Sequence, residues 1–196
     1  MAREQLNSAA YSWNGFAALS AIPIAWDKVI VTLVDERFVP ASSPRSNAGL
    51  VAANLLQNAA KAARFVPLYH EATGIEDAAA SDDAALRSLP WPLDVVVLGM
   101  GPDGHTASFF PDADDLAKLL DPSSDRIVLP VHAVSAGEPR LTLSLARIVD
   151  AGFIALHIEG EDKRGAFDGA MAPGPRKPIR AVLDAALTPV EVFWAP

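Results

Sequence analysis

The sequence has 196 residues, of which 51% are hydrophobic and 20% are charged, and its formal net charge is -8. This length and composition suit one globular domain with a buried core. The negative charge disfavours nucleic-acid binding, which depends on cations that neutralise phosphates, whereas small anionic ligands need only a few local cations. The chain contains no cysteine, which excludes disulfides, thiolate nucleophiles and cysteine-based zinc sites and fits a reducing compartment.

The sequence gives no sign of membrane insertion or of secretion. No apolar run approaches the length of a membrane span. The first 13 residues, MAREQLNSAAYSW, lack the cationic and apolar regions of a secretory signal. We therefore expect a cytoplasmic protein that binds neither membranes nor nucleic acids.

Short apolar runs alternate along the chain with alanine-rich stretches of helical character. This alternation is typical of βαβ units, so the predicted fold class is α/β, with three layers and a mostly parallel, Rossmann-like sheet between helices. The residues 172–178 precede only one helix and one strand, so we predict a single domain over residues 1–196. The predicted strands are 29–34, 65–68, 93–98, 127–131, 141–145, 153–158 and 190–194, and the predicted helices are 46–58, 75–88, 161–171 and 179–186, with Ser46 and Asp82 as candidate N-caps.

Two polar loops follow predicted strands. Asp35, Glu36 and Arg37 come directly after the first strand, in DERFVPASSPRSN. Asp103 and His105 follow the third strand, in VVVLGMGPDGHTASFFP. Because ligands collect at the carboxyl ends of parallel strands, these two loops are the predicted functional site.

The glycines of the second loop fit the G-x-G-x-x-G spacing of a dinucleotide site. Such a site also needs a long helix after the glycines and an acidic residue about 20 positions further on. Pro111 follows the glycines closely, and the next predicted strand ends near Val131 without that acidic residue. The dinucleotide interpretation is therefore weak.

An acid/base loop is the better interpretation of the same residues. A turn built from Gly99, Gly101 and Gly104 can bring backbone N–H groups close to an anionic ligand. Asp103 lies two residues before His105, where a carboxylate can orient the imidazole for proton transfer near neutral pH. The remaining histidines, His70, His132 and His157, have no comparable context, and we expect them to be structural or exposed.

The two loop motifs, together with PRLTLSL, IEGEDKRGAF and PIRAVLDAALTPVEVFWAP, resemble the 6-phosphogluconolactonases over about residues 17–196. The glucosamine-6-phosphate deaminases share that fold and also place Asp-Gly-His in the second loop. Their first loop resembles D-E-Y, whereas this chain has Arg37 after Asp35 and Glu36. The arginine favours the lactonases.

The resemblance implies hydrolysis of 6-phosphoglucono-1,5-lactone in the pentose phosphate pathway, without an organic cofactor or a metal. It implies Asp35, Asp103 and His105 as catalytic residues. It also implies a set of substrate-binding groups: Arg37 and Lys163 near the sugar phosphate, Arg140 as a further cation, and the backbone of Gly99, Gly101 and Gly104, whose N–H groups would face the oxyanion. We expect a monomer or a weak homo-oligomer whose partner is a small phosphosugar lactone.

The resemblance has one departure. Members of the family usually begin with a helix and a strand that lead to a phosphate-binding turn resembling G-G-S-T-P. The stretch at that place here is NSAAYSW, in which Ser8 and Ala9 replace the glycines and Tyr11 and Ser12 replace Thr-Pro. We therefore expect the first strand and helix of the family to be missing from this chain.

Three alternatives to an active lactonase follow. The first is a non-catalytic or impaired relative that still binds sugar phosphates, which the missing glycine turn favours. The second is an isomerase similar to the glucosamine-6-phosphate deaminases. The third is metal-assisted hydrolysis by Asp35, Asp103 and His105, for which the sequence supplies no ligand spacing such as H-x-x-x-H.

Overall fold

A computed structural model describes residues 15–196 of the chain. The NSAAYSW stretch with Ser8 and Ala9, which carries the departure, lies outside the described residues. Within them the chain forms two compact units, residues 15–33 with 39–68 and residues 34–38 with 69–196. Each unit is described by itself, and the single domain over residues 1–196 stays a prediction.

The smaller unit contains a two-stranded parallel sheet, in which Ile30 pairs with Arg64. Ser46 is confirmed as a helix N-cap, because its Oγ accepts a hydrogen bond from the N–H of Gly49 at 3.1 Å. Trp26 is buried, and its Nε1 donates a hydrogen bond to the carbonyl of Ile22 at 2.8 Å. The elements of this unit are β1 (Ile30–Thr32), α1 (Asn47–Asn54), β3 (Arg64–Val66) and two short 3-10 helices (Trp26–Lys28 and Asn58–Ala62).

The larger unit contains two three-stranded sheets, a parallel one with the order β4-β7-β8 and an antiparallel one with the order β2-β6-β5. Its strands are β2 (Asp35–Arg37), β4 (Val95–Leu98), β5 (Val128–Val131), β6 (Arg140–Leu143), β7 (Phe153–Glu159) and β8 (Val190–Ala195). Its helices are α2 (Ile75–Leu86), α3 (Leu116–Leu119), α4 (Leu145–Val149), α5 (Glu161–Met171) and α6 (Pro178–Ala185). None of the helices in residues 15–196 is long and apolar enough to cross a membrane.

Two local predictions were wrong. The Asp-Glu-Arg motif is not a loop but the short strand β2, because its backbone pairs with β6, with Glu36 opposite Leu141. Asp82 is not an N-cap but lies inside α2, which begins at Ile75 after Gly74. The Asp82 side chain is buried and hydrogen-bonded to His70.

The parallel sheet buries one face and exposes the other. Val96 and Leu98 are buried, and the residues that pair with them on β7 are buried too. On the opposite face, Val95 is 57% exposed and Val97 is 49% exposed. Parallel sheets are ordinarily covered on both faces, so these two valines mark an unusual apolar surface.

A buried carboxylate joins α2 to β5. Asp83 Oδ1 accepts hydrogen bonds from the backbone N–H groups of Ile127 at 2.5 Å and Val128 at 3.2 Å. Arg87 donates to Oδ2 at 2.9 Å, and Arg126 Nε lies 3.1 Å from Oδ1. Burial alone would raise the pKa of Asp83, but these donors hold it below its ordinary value.

We expect Asp83→Asn to lower the free energy of unfolding at pH 7 by about 1–3 kcal/mol, because two arginines lose a buried, charged acceptor. The folded-state pKa is the lower one, so the stabilisation is present above the unfolded-state pKa of about 3.9 and is lost as the pH falls through the folded-state value. Urea unfolding at pH 7, 5 and 3 measures the difference between variant and parent. Asp115→Asn, which removes an exposed ion pair with Lys118, is the control. A difference that stays constant down to pH 3 contradicts this account.

Candidate active site

The predicted second loop lies at the carboxyl edge of the parallel sheet. β4 ends at Leu98, directly before Gly99, and Leu98 pairs with Leu156 on β7. The neighbouring strand β7 leads through Gly160 into α5, whose first turn carries Lys163, a half-buried residue. The loop and Lys163 therefore follow adjacent parallel strands at the same edge.

Hydrogen bonds within the loop fix its conformation. The N–H of Gly101 donates to the carbonyl of His105 at 2.9 Å, and the N–H of Gly104 donates to the carbonyl of Gly101 at 2.9 Å. Gly104 has a φ of +85°, which favours glycine. Thr106 Oγ1 closes the turn by donating to the carbonyl of Gly99 at 2.7 Å.

His105 and Asp103 form the pair that the sequence predicts. Nδ1 of His105 lies 2.6 Å from Oδ1 of Asp103, and the same oxygen accepts the N–H of His105 at 3.1 Å. A Cβ at Gly101 would overlap the Nδ1 and Cε1 atoms of the imidazole, so only glycine leaves room for the pair. The carboxylate directs the proton of the neutral ring to Nδ1 and leaves Nε2 as the nitrogen that can accept a proton.

The oxyanion role that we predict for the glycine turn is narrowed by these bonds. The N–H of Gly101 is occupied by the carbonyl of His105, so it cannot also face a substrate oxygen. For the N–H groups between Gly99 and Gly101, the role stays a prediction.

The strand β2 contacts the loop through a buried serine. Ser108 Oγ donates a hydrogen bond to Oδ2 of Asp35 at 2.7 Å, and the serine is fully buried. This bond places Asp35 three residues along the chain from His105. Sequence reasoning missed Ser108; the polar residues of TASFFP after the histidine are the signal that was there to find.

Two of the predicted cations lie directly opposite each other on antiparallel strands. Arg37 of β2 pairs in register with Arg140 of β6. Burial, and then the charge of Arg37, lowers the pKa of the Arg140 guanidinium below its usual value. Because an arginine stays protonated in proteins, two like charges held side by side form a surface that favours an anion.

Phe110 contacts both the base and one of these cations, and sequence reasoning missed it. Its ring centroid lies 4.5 Å from that of the His105 imidazole, with an angle of 31° between the planes. The guanidinium carbon of Arg140 lies 5.5 Å from the Phe110 centroid. The ring is only 5% exposed.

The other three histidines each contact a carboxylate outside the loop. His70 bonds to Asp82, His132 Nε2 lies 2.8 Å from Glu76, and His157 Nε2 lies 3.3 Å from Glu159. Within residues 15–196, no group of three or more histidine, aspartate and glutamate side chains is arranged to hold a metal ion.

Ala107 has a strained backbone in the middle of the site loop, with a φ of +48°. We expect Ala107→Val to lower the free energy of unfolding by about 1–3 kcal/mol, because a branched side chain is disfavoured in the left-handed region. Ala107→Gly should be neutral or mildly stabilising. Thermal unfolding measures both variants, with Ala133→Val as a control at another half-buried alanine. A larger loss for the control than for Ala107→Val argues against backbone strain.

A sequence profile of the family described as glucosamine-6-phosphate isomerases/6-phosphogluconolactonase matches residues 8–194. That match covers most of the chain. The chain belongs to this family. The recognition made from the loop motifs is thereby confirmed.

Relatives in the glucosamine-6-phosphate isomerase/6-phosphogluconolactonase family agree with the profile. A 6-phosphogluconolactonase of Mesorhizobium japonicum is 76% identical, with all of both chains covered. One of Rhizobium meliloti is 52% identical over 92% of this chain and 79% of its own. The crystal structure of a 6-phosphogluconolactonase from Shewanella baltica superposes with a TM-score of 0.90 at 39% identity, covering 94% of this chain and 79% of that one. The α/β fold class is thereby confirmed.

The M. japonicum alignment also contains a gap. It spans 238 positions, and this chain has 196 residues, so 42 aligned positions of that family member have no counterpart here. Because both chains are covered completely, the gap lies within the aligned length.

Proposed function

We propose that this chain hydrolyses 6-phosphoglucono-1,5-lactone to 6-phosphogluconate, the ester hydrolysis of the pentose phosphate pathway. The observation that carries the proposal is the 2.6 Å contact between His105 Nδ1 and Asp103 Oδ1 on the glycine turn. The names of relatives at 76% and 52% identity support the same substrate.

The reaction needs a base, an acid and a place for a developing negative charge. His105 Nε2 accepts a proton from a water molecule, and the water oxygen bonds to the lactone carbonyl carbon. When the resulting oxyanion collapses, the bond from that carbon to the ring oxygen breaks. His105 then returns the proton to the ring oxygen, which leaves as a hydroxyl group. Asp103 orients the ring and stabilises the imidazolium between the two steps.

The anionic end of the substrate requires cations at a distance from the base. Arg37 and Arg140 are paired across β2 and β6, and Lys163 follows β7 at the edge where the loop begins. Arginines suit a phosphate because their planar donors can bind two of its oxygens. Asp35 stays a candidate catalytic residue, and its bond with Ser108 supports that placement.

The test is turnover of 6-phosphoglucono-1,5-lactone by the purified chain, followed by proton release, with the spontaneous hydrolysis in buffer subtracted. We expect saturable hydrolysis and competitive inhibition by 6-phosphogluconate. Binding of 6-phosphogluconate without turnover would instead identify the non-catalytic sugar-phosphate binder. Ammonia release from glucosamine 6-phosphate, with no lactone hydrolysis, would identify the deaminase-like isomerase.

The setting of this reaction is also a proposal. The absence of cysteine supports a cytoplasmic location, and the net charge of -8 supports a protein that binds no nucleic acid. We propose a monomer or weak homo-oligomer that needs no organic cofactor. Light scattering over a range of protein concentrations measures the oligomeric state.

A further inference from the structure

The position of Phe110 is fixed by its own backbone and by its burial. Its N–H donates to the carbonyl of Ser108 at 3.1 Å, and its carbonyl accepts the N–H of Ala113 at 3.0 Å. Ser108 is in turn bonded to Asp35. A nearly buried phenylalanine ring on this framework has few alternative rotamers.

This ring contacts functional groups of two different elements. The His105 imidazole belongs to the loop after β4, whereas Arg140 begins β6. Arg140 is anchored separately, because its Nη2 donates to the carbonyl of Ala136 at 2.9 Å. Since both contacts are measured from the Phe110 centroid, the imidazole centroid and the guanidinium carbon lie no more than about 10 Å apart, the sum of the two distances.

We propose that Phe110 is a positioning residue that holds the His105 base and the Arg140 cation at one set separation. The proposal rests on the proposed lactone hydrolysis. A substrate whose anionic group binds Arg140 then has its carbonyl carbon placed within reach of His105. Phe110 thus selects lactones in which the anionic group and the carbonyl carbon are correctly spaced. Aromatic contacts and alignment of reacting groups both support such a role.

The first test compares Phe110→Leu with the parent on two substrates, 6-phosphoglucono-1,5-lactone and unphosphorylated glucono-1,5-lactone. We expect kcat/KM for the phosphorylated lactone to fall about tenfold, mainly through kcat. The unphosphorylated lactone has no anionic group for Arg140, so its kcat/KM should change much less. Phe110→Tyr keeps the ring and should retain most of the selectivity.

The matched control is Phe109→Leu, the same change at the adjacent, fully buried phenylalanine. We expect it to lower thermal stability without changing the ratio of kcat/KM between the two lactones. An unchanged ratio in Phe110→Leu, or an equal change in both leucine variants, overturns the positioning role. A parent chain that hydrolyses neither lactone contradicts the proposed function instead.

The second test does not depend on turnover. A proton NMR spectrum resolves the ring protons of the four histidines, and comparison with His105→Ala assigns those of His105. We expect the Phe110 ring current to shift these protons, and the shift to disappear in Phe110→Leu but persist in Phe109→Leu. A His105 signal that is the same in Phe110→Leu and in the parent overturns the proposal even if the chain has no activity.

Discussion

Replacing His105 with alanine is expected to lower kcat for lactone hydrolysis by about 10²- to 10⁴-fold, the usual contribution of a positioned acid/base group. The imidazole is the only group of the site whose second nitrogen is directed for proton transfer by a carboxylate, among the residues that the structure describes. Its side chain is 30% exposed, so little packing is lost with it. Thermal unfolding should therefore change by no more than a few degrees.

The matched control for this prediction is His132→Ala. His132 also contacts a carboxylate, Glu76, but on an exposed surface outside the loop. We expect its kcat to equal that of the parent once spontaneous lactone hydrolysis has been subtracted. Near-normal kcat in His105→Ala would remove this imidazole from the mechanism, and an equal loss in both variants would point to a general effect of histidine removal.

The parts of the fold that depend on local patterns could be predicted from the sequence. Helix α5 has the predicted bounds, residues 161–171, because an acidic first turn follows the glycine at position 160. The strand β7 is predicted within one residue, because its apolar run is continuous. The catalytic pair is equally local, since Asp103 and His105 are two residues apart on a glycine turn.

The errors concern contacts between residues that are distant in sequence. The strand β2 has only three residues, all charged, and it is a strand because β6 pairs with it about a hundred residues later. No periodicity in so short a segment can reveal that pairing. Similarly, aspartates such as Asp82 look like N-caps in sequence, whereas the structure bonds Asp82 to His70 and its neighbour Asp83 to β5. The contact of Phe110 with His105 could not be predicted because it depends on side-chain rotamers.

The exposed face of the parallel sheet relates the fold to the gap in the family alignment. β4 is an edge strand, and on its exposed face Val95 pairs with Phe153 of β7, which is also partly exposed. An M. japonicum relative has 42 residues that this chain lacks. The resemblance implies that the family's first strand and its phosphate-binding turn are missing from this chain. A segment that supplies them would cover apolar surface and add backbone N–H donors for an anion.

We therefore expect a chimera that carries those 42 residues, inserted where the alignment places them, to be more stable and more active than this chain. Covering the half-exposed Val95 and Val97 contributes about 1 kcal/mol each. For a chain of this size, a gain of about 2 kcal/mol raises Tm by about 4–8 °C. Backbone donors to a phosphate should lower KM for the phosphorylated lactone by about tenfold.

The control is an insert of the same length made of glycine and serine at the same position, which lengthens the chain without supplying a strand. We expect this insert to leave Tm unchanged or slightly lower, because loop closure changes only slowly with length. Thermal unfolding with and without 6-phosphogluconate, followed by lactone turnover, is measured on all three proteins. If the parent and the chimera have the same Tm, ligand response and KM, then this chain completes its own sheet and anion site without the additional segment. The donors that Arg37 and Lys163 cannot replace by charge alone would then come from residues already present, and the expected deficit would be wrong.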